Sequence, residues 1–247
     1  MHRTIVQALV SSVFFIALAG CGSETENPPD AGSEAGPDAG EPLDAAFCEF
    51  SPANWDTARA SYPSSPYGSS EGSTIRDISL AGYPADWEPR SHDWTTSVRL
   101  SDYFDPDGNR GPGGTALRLL WATVSATWCV ACRLGADVAQ EDCHDLLSQG
   151  VVCYEALWAN GGEGSNTPAM KDDVDDWRRD YFPDCHTSIS TLDSPRPAKW
   201  YDLFDPLSLP LNVVIDLRTM KIMSVWSGYS TRDKDNVEGI LADLDSP

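Results

Sequence analysis

The run T-A-L-R-L-L-W-A-T-V-S-A-T-W-C-V-A-C-R-L-G (residues 115–135) decides how the rest of the chain is read. Its first part is apolar and strand-like, and a strand buried on both faces is expected over 117–124. The run reaches Trp128, and Cys129 and Cys132 follow at once. A helix is expected over about 129–147, with Cys132, Ala136, Ala139, Cys143 and Leu146 recurring at three- or four-residue steps. Ser148-Gln149-Gly150 should end it. Two cysteines separated by two residues at such a junction can form a reversible disulfide. The first sulfur lies where unpaired helix N–H groups point outward, which favours its thiolate. A zinc half-site is another use of C-x-x-C, but it needs two further ligands, and no second C-x-x-C is present. A purely structural staple is the third use.

Outward from this run, V-V-C-Y-E-A-L-W (151–158) reads as a second core strand. P-L-N-V-V-I-D and M-K-I-M-S-V-W-S-G-Y (210–216 and 220–229) read as an antiparallel hairpin. Val237, Ile240, Leu241 and Leu244 then line a closing helix, with Asp235 and Glu238 as a capping pair. Between these, a helix is expected from Pro168, capped by Thr167, with Met170, Val174, Trp177 and Tyr181 as its inner stripe. Residues 183–199 read as irregular, followed by a helical turn in W-Y-D-L-F-D-P-L. Residues 75–83 suggest a short strand. In D-P-D-G-N-R-G, Asp105, Asp107 and Asn109 alternate as in a calcium loop. The glycine is misplaced and the distant glutamate is missing, so a turn is expected. His144 has no ligand partner in the sequence and reads as a surface or cap residue.

Residues 121–132 (W-A-T-V-S-A-T-W-C-V-A-C) together with 209–216 (L-P-L-N-V-V-I-D) resemble the thioredoxin superfamily. The likeness is to bacterial membrane-tethered, extracytoplasmic thiol–disulfide oxidoreductases. It implies an α/β, thioredoxin-like fold over about 90–247: a central mixed sheet flanked by helices, preceded by an irregular N-terminal extension. It implies that Cys129 attacks, Cys132 resolves, and Trp128 supports the site. Pro210 matches the family's cis proline, which would face the dithiol and leave the Leu209 backbone free to pair with an extended client. Two departures are visible. The usual Gly-Pro or Pro-Pro insert is replaced by Val130 and Ala131. The buried acid that the family places six residues before the first cysteine is Thr123 here, whose hydroxyl is no base near neutral pH. Glu141 and Asp142 are expected to lie too far along the helix to replace it.

The chain begins M-H-R-T and runs apolar to Ala19, which is an export signal over 1–20. Leu18-Ala19-Gly20-Cys21 resembles a lipoprotein signal-peptidase site, implying cleavage before Cys21 and its lipidation. No Asp stands immediately after Cys21. By analogy with Gram-negative lipoproteins the anchor is then expected in the outer membrane facing the periplasm, with the cell surface as the other face. Residues 21–46 carry seven acids and no base and read as a lipidated, disordered tether. Residues 47–89 read as a Pro/Gly/Ser-rich extension packed on the domain.

Without Cys21, six of the seven cysteines remain, an even set that fits an oxidising compartment. Beyond Cys129 and Cys132, three pairings are open. Cys143–Cys153 is favoured as a helix end meeting the next strand, leaving Cys48–Cys185. The net charge of −21 argues against nucleic acid and anionic lipid surfaces as partners. The expected function is thiol–disulfide exchange with extracytoplasmic protein thiols or disulfides and an unidentified redox partner, with no cofactor and no metal. Two other classes stay open. One is a redox sensor or metal-delivery protein drawing on Met170, Met220 or Met223. The other is a structural surface lipoprotein.

Overall fold

The structure is a computed structural model that describes residues 61–85, 93–161, 167–182, 188–194 and 199–246. Expectations for Cys21, Cys48, Cys185 and the tether fall outside these residues.

The apolar run becomes β3 (Leu119–Ala126), buried along nearly its whole length. Cys129 then caps α1 (Val130–Leu147). Gly150 ends the connection with φ +84, where an added Cβ would stand 2.5 Å from the Ala116 carbonyl oxygen. Only glycine fits that turn without strain. The chain returns as β4 (Val151–Asn160), parallel to β3. After β5 (Thr167–Pro168) and α2 (Lys171–Tyr181) comes β6 (Ser188–Leu192), parallel to β4 on its other side. The short α3 (Tyr201–Phe204) leads to the hairpin β7 (Leu211–Asp216) and β8 (Lys221–Ser227). β7 lies antiparallel to β3, and α4 (Asp233–Leu244) closes the chain.

Ahead of this core, β1 (Ser79–Tyr83) and β2 (Thr95–Arg99) form an antiparallel pair, with β1 joined to β6. The sheet order among the described residues is β2-β1-β6-β4-β3-β7-β8, with β5 paired to the end of β4. This is the expected mixed sheet with helices, extended at one edge. Residues 72–75 add backbone hydrogen bonds to β8 at the other edge: Gly72 N–H to Ile222 O (2.8 Å), Ile222 N–H to Ser73 O (2.9 Å) and Ile75 N–H to Met220 O (2.9 Å).

Side chains alternate across the strands. Leu119 and Trp121 pack with Cys153, Val214, Val237 and Leu241 against α1 and α4. Leu120, Ala122 and Val124 face the other way, into a core with Tyr154, Trp200, Tyr103 and Ile75.

Two buried carboxylates tie loops down. Asp193 accepts the backbone N–H groups of Lys199 (2.6 Å), Trp200 (3.1 Å) and Tyr201 (2.9 Å), gathering the start of α3. Asp105 accepts those of Asn109 (3.0 Å), Arg110 (3.2 Å) and Leu117 (2.7 Å). The D-P-D-G-N-R-G piece is therefore a stapled turn, with the Asp105 oxygens turned to backbone donors.

Three local expectations need correction. α2 starts at Lys171 rather than at Pro168, because Thr167 and Pro168 pair with Asn160 and Ala159 of β4. The Asp173 carboxylate then accepts the Met170 N–H (2.7 Å) at the real helix start. Met170 is thus exposed at the cap, while Val174 and Trp177 are buried as the stripe predicts. α4 starts at Asp233 rather than at the Asp235–Glu238 pair. The Asp233 carboxylate accepts the Ser230 N–H (3.0 Å) and Trp226 Nε1–H (3.0 Å). The stretch read as irregular contains β6, whose S-I-S-T-L is held by pairing with β4.

Candidate active site

Cys129 and Cys132 are joined by a disulfide at the mouth of α1. Both are almost fully buried, Cys129 at 7% exposure and Cys132 at 2%. The Cys132 backbone N–H donates to the Cys129 sulfur at 3.1 Å, so that sulfur takes the place a capping oxygen usually fills. The turn before the helix is anchored twice. Cys129 N–H donates to Ala126 O (3.0 Å), and Thr127 N–H donates to Ala159 O (3.0 Å) at the end of β4. Thr127 Oγ1 and Asn160 also meet at 3.1 Å, and Asn160 Nδ2 reaches Asp173 at 2.6 Å. The tip of β3, the end of β4 and the first turn of α2 therefore hold the dithiol together. Trp128 lies half-buried against the core beside it. Val130, between the two cysteines, is exposed.

Pro210 and Cys132 line one cavity of about 280 Å³. The Leu209–Pro210 peptide is cis, and the Pro210 carbonyl accepts the Gly228 N–H at 2.7 Å. Leu209 is half-buried at the core margin. The floor of the cavity is a polar row across three strands: Glu155 on β4, Thr123 on β3 and Asn212 on β7 are register partners. Thr123 Oγ1 (3.2 Å) and Trp121 Nε1 (3.1 Å) both bond Asn212 Oδ1, and Asn212 Nδ2 donates to Gly228 O (3.2 Å). Thr123 and Asn212 thus satisfy one another.

Glu155 does not share in this network. Its Oε1 is buried without a hydrogen bond, as is the adjacent Ser125 hydroxyl. Burial pushes the Glu155 carboxyl up to about 8, with Ser125 acting in the opposite direction. No motif in the sequence singles this residue out, yet a lone acid inside V-V-C-Y-E-A-L-W is itself a signal. Asp142 also reaches the cavity wall. Burial raises its carboxyl, and Lys234 Nζ at 3.6 Å opposes that rise.

On the wall of the same cavity, Cys143 and Cys153 form a second disulfide, tying the helix to β4. His144 lies in the last turn of α1, away from the dithiol motif. Of the methionines raised for metal delivery, Met220 is buried in the core and Met170 is exposed at the α2 cap. Among the described residues no group of three or more His, Cys, Asp or Glu is placed to hold a metal ion. No helix among them is long and apolar enough to cross a membrane.

No family model matches the sequence, and no curated protein matches it. Solved structures do. An uncharacterized conserved protein from Geobacillus kaustophilus aligns with a TM-score of 0.50 at 11% identity, over 70% of this chain and 83% of that one. A thiol:disulfide interchange protein from Bacteroides sp. aligns at 0.48 and 11% identity, over 72% and 91%. The exposed lipoprotein thioredoxin Etrx1 of Streptococcus pneumoniae aligns at 0.43 and 19% identity, over 68% and 100%. With β3 and β4 parallel, β7 and β8 antiparallel, a Cys-X-X-Cys disulfide opening α1 and a cis proline leading into β7, the chain has a thioredoxin-like fold.

Proposed function

We propose that this chain is a thiol–disulfide oxidoreductase acting on extracytoplasmic protein thiols or disulfides. The observation that carries the reading is the Cys129–Cys132 disulfide, with the Cys129 sulfur at the N-terminus of α1 accepting a backbone N–H. Helix N–H groups and the dipole stabilise negative charge on that sulfur, which lowers its pKa and makes it both a better leaving group and a more populated nucleophile.

In the reducing direction the Cys129 thiolate attacks one sulfur of a client disulfide. A Cys129–client bond forms, and the other client sulfur leaves as a thiolate. Cys132 then attacks Cys129, closing the internal disulfide and releasing the second client sulfur. In the oxidising direction a client thiolate attacks Cys129 and the steps run backward. Trp128, Leu209 and Pro210 border the site and support it as client-facing residues.

The same proposal includes an anchor. The L-A-G-C signal would place a lipid on Cys21, and residues 21–46 would tether the following extension and domain on the outside of the cytoplasmic membrane, with the outer membrane facing the periplasm as the expected site. Cys48 and Cys185 remain a proposed pair.

The test is trapping. Cys132→Ser, reduced and mixed with an extracytoplasmic extract or with a model disulfide peptide, should accumulate a mixed disulfide through Cys129. The Cys129→Ser variant should accumulate none. If Cys132→Ser traps nothing, the oxidoreductase reading fails.

A further inference from the structure

Glu155 is the one acid on the floor of the cavity behind the dithiol, and the exchange reaction needs a proton at Cys132. When a client thiolate opens the disulfide at Cys129, the sulfur that leaves is Cys132, the more buried of the two. A thiolate stranded there is costly, because burial disfavours charge. Thr123, on the central strand, cannot supply the proton. Its register partner on the neighbouring strand is Glu155. Glu155 lies on the face of β4 that carries Cys153, whose disulfide partner is on α1, so the side chain is directed beneath that helix. Glu155 and Cys132 line the same cavity. Glu155 Oε1 has no hydrogen-bond partner there.

Building on the oxidoreductase reading, we propose that Glu155 is the proton-exchange residue for Cys132, supplied from β4 in place of an acid on β3. The oxidising step balances as follows in atoms and electrons. Client thiolate attacks Cys129; the client–Cys129 S–S bond forms and the Cys129–Cys132 bond breaks. The Glu155 carboxylic acid gives its proton to the Cys132 sulfur, leaving a Cys132 thiol and a Glu155 carboxylate. The client sulfur is oxidised and the protein disulfide is reduced. In the reverse step Glu155 takes the Cys132 proton back as Cys132 attacks Cys129. The cavity has room for a water to carry the proton between them.

The environment suits this exchange. An ordinary glutamate is about four pKa units more acidic than a free thiol, which makes proton transfer from the thiol unfavourable by about 10⁴. Burial lifts Glu155 to about 8, close to a thiol. Other charged or titratable groups line the cavity: Asp142 from α1, Tyr154 from β4, Tyr229 from the turn before α4, and Asp233, Lys234 and Asp235 from α4. Lys234 is bound to Asp145 (2.7 Å) and close to Asp142 (3.6 Å), and Asp233 is bound to Trp226 and Ser230. None of them is among the causes of the Glu155 shift, which are burial and Ser125.

The test is the pH profile of Glu155→Gln and Glu155→Asp. The oxidised proteins are reduced by dithiothreitol under single-turnover conditions between pH 6 and 10, once the ionisation of dithiothreitol itself is divided out. Gln keeps the shape and cannot titrate. It should slow the step about 10²-fold at neutral pH and remove one inflection from the wild-type profile, while Asp restores part of both. A Gln profile matching wild type in rate and shape overturns the proposal. Should the variants not fold, carboxyl NMR of the wild-type protein decides. The Glu155 carboxyl must titrate at different pH in the oxidised and reduced proteins, because it is coupled to the Cys132 thiol only in the latter. An unchanged titration overturns the proposal. Trapping by Cys132→Ser does not involve Glu155, so successful trapping with an unaltered Gln profile removes Glu155 alone. Failed trapping removes the oxidoreductase reading and this inference together.

Discussion

The Cys132 backbone N–H points at the Cys129 sulfur from 3.1 Å, so the first cysteine of the motif is the cap of the helix that contains the second. In the reduced protein the same N–H would favour a thiolate on Cys129. The Cys129 thiol of Cys132→Ser is expected to titrate at least about one unit below the ordinary 8.5. Iodoacetamide alkylation rates measured against pH check this. A midpoint at 8.5 or above would mean that the helix mouth does not tune this sulfur.

Cys143 and Cys153 close a ten-residue separation between α1 and β4, one strand residue pair away from Glu155. Replacing both with Ala should cost about 2–3 kcal/mol of stability. Trapping through Cys129 should persist. Urea unfolding of the double variant, with the Cys129–Cys132 disulfide left intact, measures the first. An equal loss of trapping would give this pair a part in exchange.

Glu155 also sets a pH dependence of stability. Its folded-state pKa is raised to about 8, whereas the unfolded chain should hold it near 4.3. Between those values the folded state binds more protons, so unfolding free energy falls as pH rises, and by no more than about 1.4 kcal/mol per pH unit from this group. Below pH about 4.3 both states are protonated and the effect vanishes. Glu155→Gln removes this contribution. Relative to wild type, the variant should therefore gain stability steadily from pH 5 to 8. Parallel urea titrations of the two proteins at several pH values would show a constant difference if the carboxyl is not buried as described.

Asp193 offers a purely structural contrast. Its carboxylate gathers three successive backbone N–H groups at the head of α3, beneath the fully buried Trp200. Asp193→Ala leaves those donors without a partner and should cost about 3 kcal/mol in urea unfolding. Asp193→Asn, which keeps one acceptor oxygen, should cost less. Neither change should alter the Cys129 alkylation profile.

Local signals carried much of the core. The apolar run ending in W-C-V-A-C, the glycine stop at Gly150 and the hairpin after Pro210 are each written in a few neighbouring residues. What stayed hidden depends on pairing between distant segments. S-I-S-T-L is too short and too polar to announce a strand, and pairing with β4 and β1 makes it one. Thr167 and Pro168 have good helix-start chemistry, but the end of β4 binds them first. Glu155 could be seen in the sequence as an acid among apolar residues. Its place under α1 could not, because that needs the register of β4 against β3.

Residues 72–75 bond to the start of β8, and only a few residues later β1 joins β6. A protein that handles half-folded clients constantly meets bare amides and carbonyls looking for a ladder to join. Here the start of β8 is already bonded by the chain's own leading segment, and the opposite flank ends in β2, a five-residue strand ending in an arginine. Less unpaired backbone is thus offered to any extended segment that approaches the sheet.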